Sequence, residues 1–157
     1  HTGPSLSPFN AWILSKSLEL LDLRMQKHSE NAQALAEALD GHAALVQVKY
    51  PFLKSHPQYD LAKRQMKYGG GILTLDIKGG FEKVVAFSKA LKIVSISPNL
   101  GDSRTIITHP ASTTHAKIAA DEKVALGITD GLVRVAVGLE SIEDLKADFL
   151  QALNAIK

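Results

Sequence analysis

The chain has 157 residues, 45% of them hydrophobic and 22% charged, and its 18 basic and 16 acidic residues leave a formal charge of +2. That length suits one soluble globular domain with a sizeable core; the mixed charges offer no basic block for nucleic acid, and no apolar run approaches the ~18 residues of a membrane span. The absence of cysteine removes disulfides, thiolate metal sites and thiol nucleophiles, and fits a cytoplasmic protein whose partners are small molecules or protein.

Ser7-Pro8 predicts a helix start, because a serine oxygen accepts an orphan N–H and a first-turn proline has none to lose. Phe9, Trp12, Ile13 and Leu14 follow it. Leu21, Met25, His28, Ala32, Leu35, Ala36 and Leu39 recur at three- and four-residue steps, a second helix with Gly41 just past its end. His28 falls on that stripe and reads as a histidine at the edge of a packing face, not as a catalytic group. Alternation over 45–50, stopped by Pro51, predicts a strand, and Pro57 opens a short helix carrying Leu61, Ala62, Gln65 and Met66. Gly69-Gly70-Gly71 precedes a strand and lacks the spacing of a phosphate loop, so it reads as a turn or bulge.

Leu73, Leu75 and Ile77 set one face of the next strand in the core, and Phe81, Val84, Val85, Ser88 and Leu91 mark the helix after it. Residues 93–97 form a short strand that leads through Pro98 into the turn Asn99-Leu100-Gly101-Asp102. Residues 105–108 are a further strand, ended by Pro110, and a brief helix over 120–126 closes at Gly127. In the strand over 132–137, Val133, Val135 and Val137 lie on one side, with Arg134, Ala136 and Gly138 on the other. Ser141 is expected to cap the last helix, whose apolar stripe is Ile142, Leu145, Phe149, Leu153 and Ile156. This order of elements predicts an α/β fold, a two-layer α/β sandwich with helices on one face.

The polar chemistry concentrates in residues 99–115 and at Arg134. Small neighbours on the arginine's own face leave room for a planar anion against its guanidinium; a structural ion pair or a solvated side chain is the competing reading. His109 and His115 stand six positions apart with Ser112 between them. A metal reading lacks a third ligand, and Ser112 is in no nucleophile elbow, so no metal ligand and no catalytic residue is assigned.

Thr2-Gly3-Pro4-Ser5-Leu6-Ser7-Pro8-Phe9-Asn10-Ala11-Trp12, Leu23-Arg24-Met25, Lys49-Tyr50-Pro51, Ser55-His56-Pro57, Asn99-Leu100-Gly101-Asp102, 108–115, Gly127-Ile128 and 134–140 together resemble the Cys/Met-metabolism family of pyridoxal-phosphate enzymes. The resemblance covers that family's C-terminal domain alone, over residues 1–157, and implies a small, mostly antiparallel sheet of the fold-type I transferases. It implies that the Schiff-base lysine, the ring-stacking aromatic, the aspartate on the pyridine nitrogen and the phosphate loop all belong to an N-terminal domain upstream of His1. This chain is thus expected to be a fragment, with that missing domain as its partner and pyridoxal 5'-phosphate bound mainly there.

The resemblance assigns the substrate α-carboxylate to Arg134, with Asn99 at a substrate-contacting position where many relatives carry serine, and Leu100 offering its main chain. Asparagine before Leu-Gly-Asp and the Pro-Phe-Asn-Ala-Trp opening are most similar to the sulfhydrylases forming homocysteine from O-succinyl- or O-acetylhomoserine. The implied reaction of an intact homotetramer expels the γ-acyloxy group and adds sulfide, with the cofactor as electron sink. A cystathionine γ-synthase or methionine γ-lyase domain, and a stand-alone amino-acid-binding module, are the alternatives.

Overall fold

The computed structural model describes residues 5–157; Thr2-Gly3-Pro4 of the family-like opening lies outside them. The elements in chain order are α1 (Pro8–Leu18), α2 (Leu21–Leu39), β1 (Leu45–Lys49), α3 (Tyr59–Gln65), β2 (Ile72–Ile77) and α4 (Gly80–Ala90). They continue with β3 (Ser95–Ile96), β4 (Ile106–Thr108), a 3₁₀ turn (Pro110–Ser112), α5 (Ala120–Ala125), β5 (Leu132–Ala136) and α6 (Ile142–Asn154). The strands form one sheet in the order β1-β2-β5-β4-β3. Every pairing is antiparallel except that of β3 with β4.

Helices α2, α4 and α6 pack together on one face of the sheet, the expected two-layer arrangement. The alternation in β2 and β5 explains why: Leu73, Leu75, Ile77, Val133 and Val135 all point into the layer filled by Leu35, Leu39, Phe87, Leu145, Phe149 and Leu153. Each such large side chain contributes roughly 1.5–3 kcal/mol on burial, so this layer holds the sheet flat against its helices. His28 is buried in the same layer, its Nδ1 donating to Val137 O at 2.5 Å, as expected of a core histidine.

Several local expectations change. Strand β1 carries a bulge between Leu45 and Gln47, which breaks the simple alternation and leaves Val46 outward. Helix α3 begins at Tyr59 rather than at Pro57, and strand β3 is two residues long. Ser7 does cap α1, accepting from Asn10 N at 3.3 Å, whereas Ser141 makes no side-chain cap bond and leaves its helix to the acidic first turn of Glu143 and Asp144.

Helices α1 and α5 bury no residue, and α1 exposes the larger apolar surface. Its Phe9 (65%), Trp12 (58%) and Leu18 (65%) stand in solvent. The exposure runs on through Leu20, Leu21, Leu23 and Met25, until α2 reaches the sheet at His28.

Tyr50 locks β1 to α2 and to the glycine turn: its fully buried ring sets the hydroxyl 2.9 Å from Gly70 O and 3.2 Å from Ser29 O. Burial, and then the charge of Glu37, push the phenol's pKa up. The unfolded chain loses this proton near pH ~10 while the folded one keeps it, so the stabilisation is complete below that pH and declines above it. Urea midpoints followed from pH ~9 to ~11 should therefore fall more steeply for the parent than for Tyr50→Phe; parallel curves would contradict this.

Candidate functional site

Arg134 is the third residue of β5, the central strand, on the face turned away from the helices. Thr74 of β2 and Thr108 of β4 stand opposite it in register, and Ala136 follows on its own face. These short neighbours leave the half-buried guanidinium uncovered, as the sequence pattern predicts. Its Nη2 donates to Pro98 O at 2.7 Å and to Asn99 O at 3.2 Å.

No carboxylate lies within ion-pair distance of Arg134 among the described residues, so the structural ion pair is not what the fold builds. The neighbouring cation behaves differently. Arg104 donates its backbone N–H to Asp102 at 3.0 Å and its Nη2 at 3.4 Å, and these contacts, the backbone bond foremost, hold the Asp102 carboxyl below its usual range. Arg104 is thereby paired on the surface, while Arg134 retains Nε and both Nη1 protons with no protein acceptor among the described residues.

The loop over 97–105 brings the other two candidates to this group. Asn99 touches Arg134 through its carbonyl and turns its amide side chain to solvent, and the Leu100 N–H next to it has no acceptor among the described residues. Gly101, at φ +77°, makes the turn that a side-chain-bearing residue adopts only with strain. Arg24, at the start of α2, reaches over to Gly101 O at 3.4 Å. Arg134, Asn99 and Leu100 thus form one cationic, donor-rich patch. A guanidinium fork and a peptide N–H are all donors, so this patch can donate hydrogen bonds to an acceptor such as a carboxylate oxygen.

The histidines do something else. His109 packs on Phe81, with ring centroids 5.1 Å apart, and its Nε2 donates to Asp130 O at 3.0 Å while Nδ1 accepts from Ser112 Oγ at 2.8 Å. Both ring nitrogens are therefore engaged, Nδ1 closing the 3₁₀ turn and Nε2 tying it to the chain before β5. Among the described residues no three metal-ligating side chains converge.

The lysines do not fit a Schiff base with an aldehyde cofactor, which needs a desolvated amine. None is buried, and the half-buried Lys83, Lys123 and Lys146 bond Ile156 O, Ala111 O and Glu143. The glycine triplet precedes β2 and opens no helix, so it offers no phosphate cradle. No cofactor chemistry is therefore assigned to this chain's own side chains.

Comparison with known proteins agrees with this picture. The fold is similar to that of cystathionine gamma synthase from Xanthomonas oryzae, solved in complex with cystathionine. The TM-score is 0.90 at 42% identity, over 98% of this chain and 40% of that one. The family model for Cys/Met metabolism PLP-dependent enzymes matches residues 1–154, and the chain belongs to that family. O-succinylhomoserine sulfhydrylase of Pseudomonas aeruginosa is 48% identical over 154 residues, 98% of this chain and 38% of its own length. L-methionine gamma-lyase of Treponema denticola is 44% identical over 155 residues, 99% of this chain and 39% of its own. The chain thus spans about two fifths of the length of these relatives.

Arg24, Thr105 and Glu140 reach the site loop without having been singled out from the sequence. The Gly138-Leu139-Glu140 motif was visible, but nothing local names its partner 35 residues away. Because two carbonyls depend on Arg134, Arg134→Met should release the start of the loop: the amides of Ser97 and Asn99, which donate to Ile107 O and Ser97 Oγ, should exchange about tenfold faster, those of β2 at the parent rate. Unchanged exchange in the loop would show that the guanidinium does not hold it.

Proposed function

We propose that this chain is the C-terminal, substrate-binding domain of a pyridoxal-phosphate-dependent sulfhydrylase that makes homocysteine from O-succinyl- or O-acetylhomoserine. In this reading it works within a cytoplasmic homotetramer, contacts neither nucleic acid nor membrane, and is inactive alone. One observation carries the proposal: an arginine on the central strand bonded only to carbonyls, beside a loop whose Leu100 N–H has no acceptor among the described residues. Among the described residues no helix is long and apolar enough to cross a membrane.

The site's part in the reaction is orientation. A substrate carboxylate approaching end-on takes one Nη1 proton of Arg134 and, by displacing the longer Asn99 contact of 3.2 Å, one from Nη2. The Leu100 N–H and the Asn99 amide complete its acceptor demand. Charge-assisted bonds of this kind contribute about 1.5–3 kcal/mol each, enough to fix the amino acid's Cα and hence the direction of its α-hydrogen. The domain that bears the cofactor supplies the electron sink and the base.

A second reading within the family is a methionine γ-lyase or cystathionine γ-synthase domain, supported by identities of 44% and 42% against 48% for the sulfhydrylase. Asn99 favours the sulfhydrylase, because many lyases and cystathionine synthases of the family carry serine there.

In the full-length protein, Arg134→Lys keeps the charge but loses the two-pronged fork. It should raise KM for the acylhomoserine at least about tenfold, with a smaller change in kcat. Equal kcat/KM for variant and parent would remove Arg134 from the site. The exposed apolar surface of α1 and the start of α2 is proposed to dock on the cofactor-bearing domain, since a helix apolar around its girth is stable only when covered. Expressed alone, this chain should self-associate through that surface in sedimentation runs, and Phe9→Lys with Trp12→Lys should restore the monomer; a monodisperse parent at high concentration would contradict the docking role.

A further inference from the structure

We propose that Glu140 is a positioning residue of the carboxylate site, holding the loop that carries Asn99 and Leu100 at a fixed place relative to Arg134. The inference rests on the reading of Arg134 just given and extends it to a residue outside the patch.

The loop over 97–105 hangs from one stretch of chain at both ends. At its start, Arg134 of β5 holds Pro98 O and Asn99 O. At its end, Glu140, six residues further along the same segment, accepts from Thr105 N at 2.5 Å and from Thr105 Oγ1 at 2.8 Å. Thr105 is fully buried, and its Oγ1 in turn accepts from Gly138 N at 2.8 Å, while Leu139 N donates to Ser103 O at 2.8 Å. The two segments are therefore laced by four bonds over three residues on each side.

The anchor itself is rigid. Asn31 of α2 donates to Gly138 O at 3.0 Å and to Glu140 O at 2.9 Å, one helical turn along from the His28 bond to Val137 O. Gly138 is demanded by the close approach of the two segments: a Cβ there would lie 2.4 Å from Ser103 O, 2.5 Å from Arg104 C and 2.4 Å from Glu140 Oε2. Glu140 meets no cation within ion-pair distance among the described residues. Both carboxylate oxygens bond one residue's two donors, an arrangement that fixes position and direction where a single bond to a neutral acceptor would allow rotation.

Between these ends the loop has little to hold it. Asn99, Leu100 and Gly101 are exposed, and Arg24 touches the turn at 3.4 Å. If the Glu140 end is released, the substrate must order the loop on binding, and that entropy is drawn from binding energy. KM rises while the chemical step, carried by groups elsewhere, changes little.

The test uses the full-length protein with its cofactor bound. Glu140→Ala should raise KM for the acylhomoserine about tenfold and Glu140→Gln about threefold, since the amide keeps an acceptor for Thr105 N–H; kcat should stay within about twofold. Thr105→Ser, which retains the hydroxyl, should behave as the parent. The amides of Thr105, Gly138 and Leu139, whose bonds lace the two segments, should exchange faster in both Glu140 variants while those of α6 do not. Asn99→Ala combined with Glu140→Ala should raise KM by less than the product of the single effects, because both act through one loop. An unchanged KM in Glu140→Gln and Glu140→Ala beside a raised KM in Arg134→Lys overturns this inference alone, as does a fully multiplicative double variant. An unchanged KM in Arg134→Lys overturns the reading of the site. If Glu140→Ala does not fold, Glu140→Gln with the exchange measurement decides.

Discussion

An arginine on the central strand of a sheet must settle one charge and five N–H groups, and Arg134 places two of those N–H groups on peptide carbonyls and none on a carboxylate. Carbonyl dipoles satisfy protons but do not neutralise the cation. Arg104, thirty residues upstream, is instead paired with Asp102 on the surface. The difference between the two arginines is one of surroundings: Thr74, Thr108 and Ala136 are too short to reach Arg134 or too apolar to pair with it.

The same guanidinium ties the helical layer to the loop. Leu35, Leu39, Phe149 and Leu153 fix α2 and α6 against β2 and β5, and that packing places His28 and Asn31 where they take the carbonyls of Val137, Gly138 and Glu140. Glu140 then sets Thr105, and the loop from Thr105 back to Pro98 returns to Arg134. A change deep in the α2 interface can reach the site along this route without touching any residue that faces ligand. Asp148 performs a comparable service one strand earlier: its buried carboxylate takes the backbone N–H groups of Lys92 and Ile93 and fixes the chain entering β3.

The layers were legible in the sequence because burial in them is periodic. Leu73-Leu75-Ile77 and Val133-Val135 alternate with a period of two, and α2 and α6 repeat at three to four, so a single window determines which face is apolar. Arg134, Asn99 and Leu100 were legible as a group through family-like motifs, and the structure brings the three together. What was not legible is non-local or conformational. The β1 bulge depends on how Leu45 and Gln47 meet Ile77 and Asp76, and Ser141 makes no cap bond although its residue type is suited. The bond from Glu140 to Thr105 spans 35 positions and has no period to betray it. Helix α1 reads as apolar from sequence, yet which surface buries it cannot be inferred from its pattern, and the fold buries it on nothing among the described residues.

The uncovered helix and the unpaired arginine are linked through Arg24. That residue lies between Leu23 and Met25, both exposed, and its guanidinium reaches the carbonyl of Gly101 in the site loop. The exposed apolar segment therefore adjoins the loop that carries Asn99 and Leu100. In the proposed docking, covering the apolar helix would also bring a partner surface to the proposed carboxylate patch, with area removed from water at α1 and a lower dielectric at Arg134. Docking energy from a helix with no polar role would strengthen the grip on the substrate, and the bare chain, which has the guanidinium but not the cover, should hold a carboxylate only weakly.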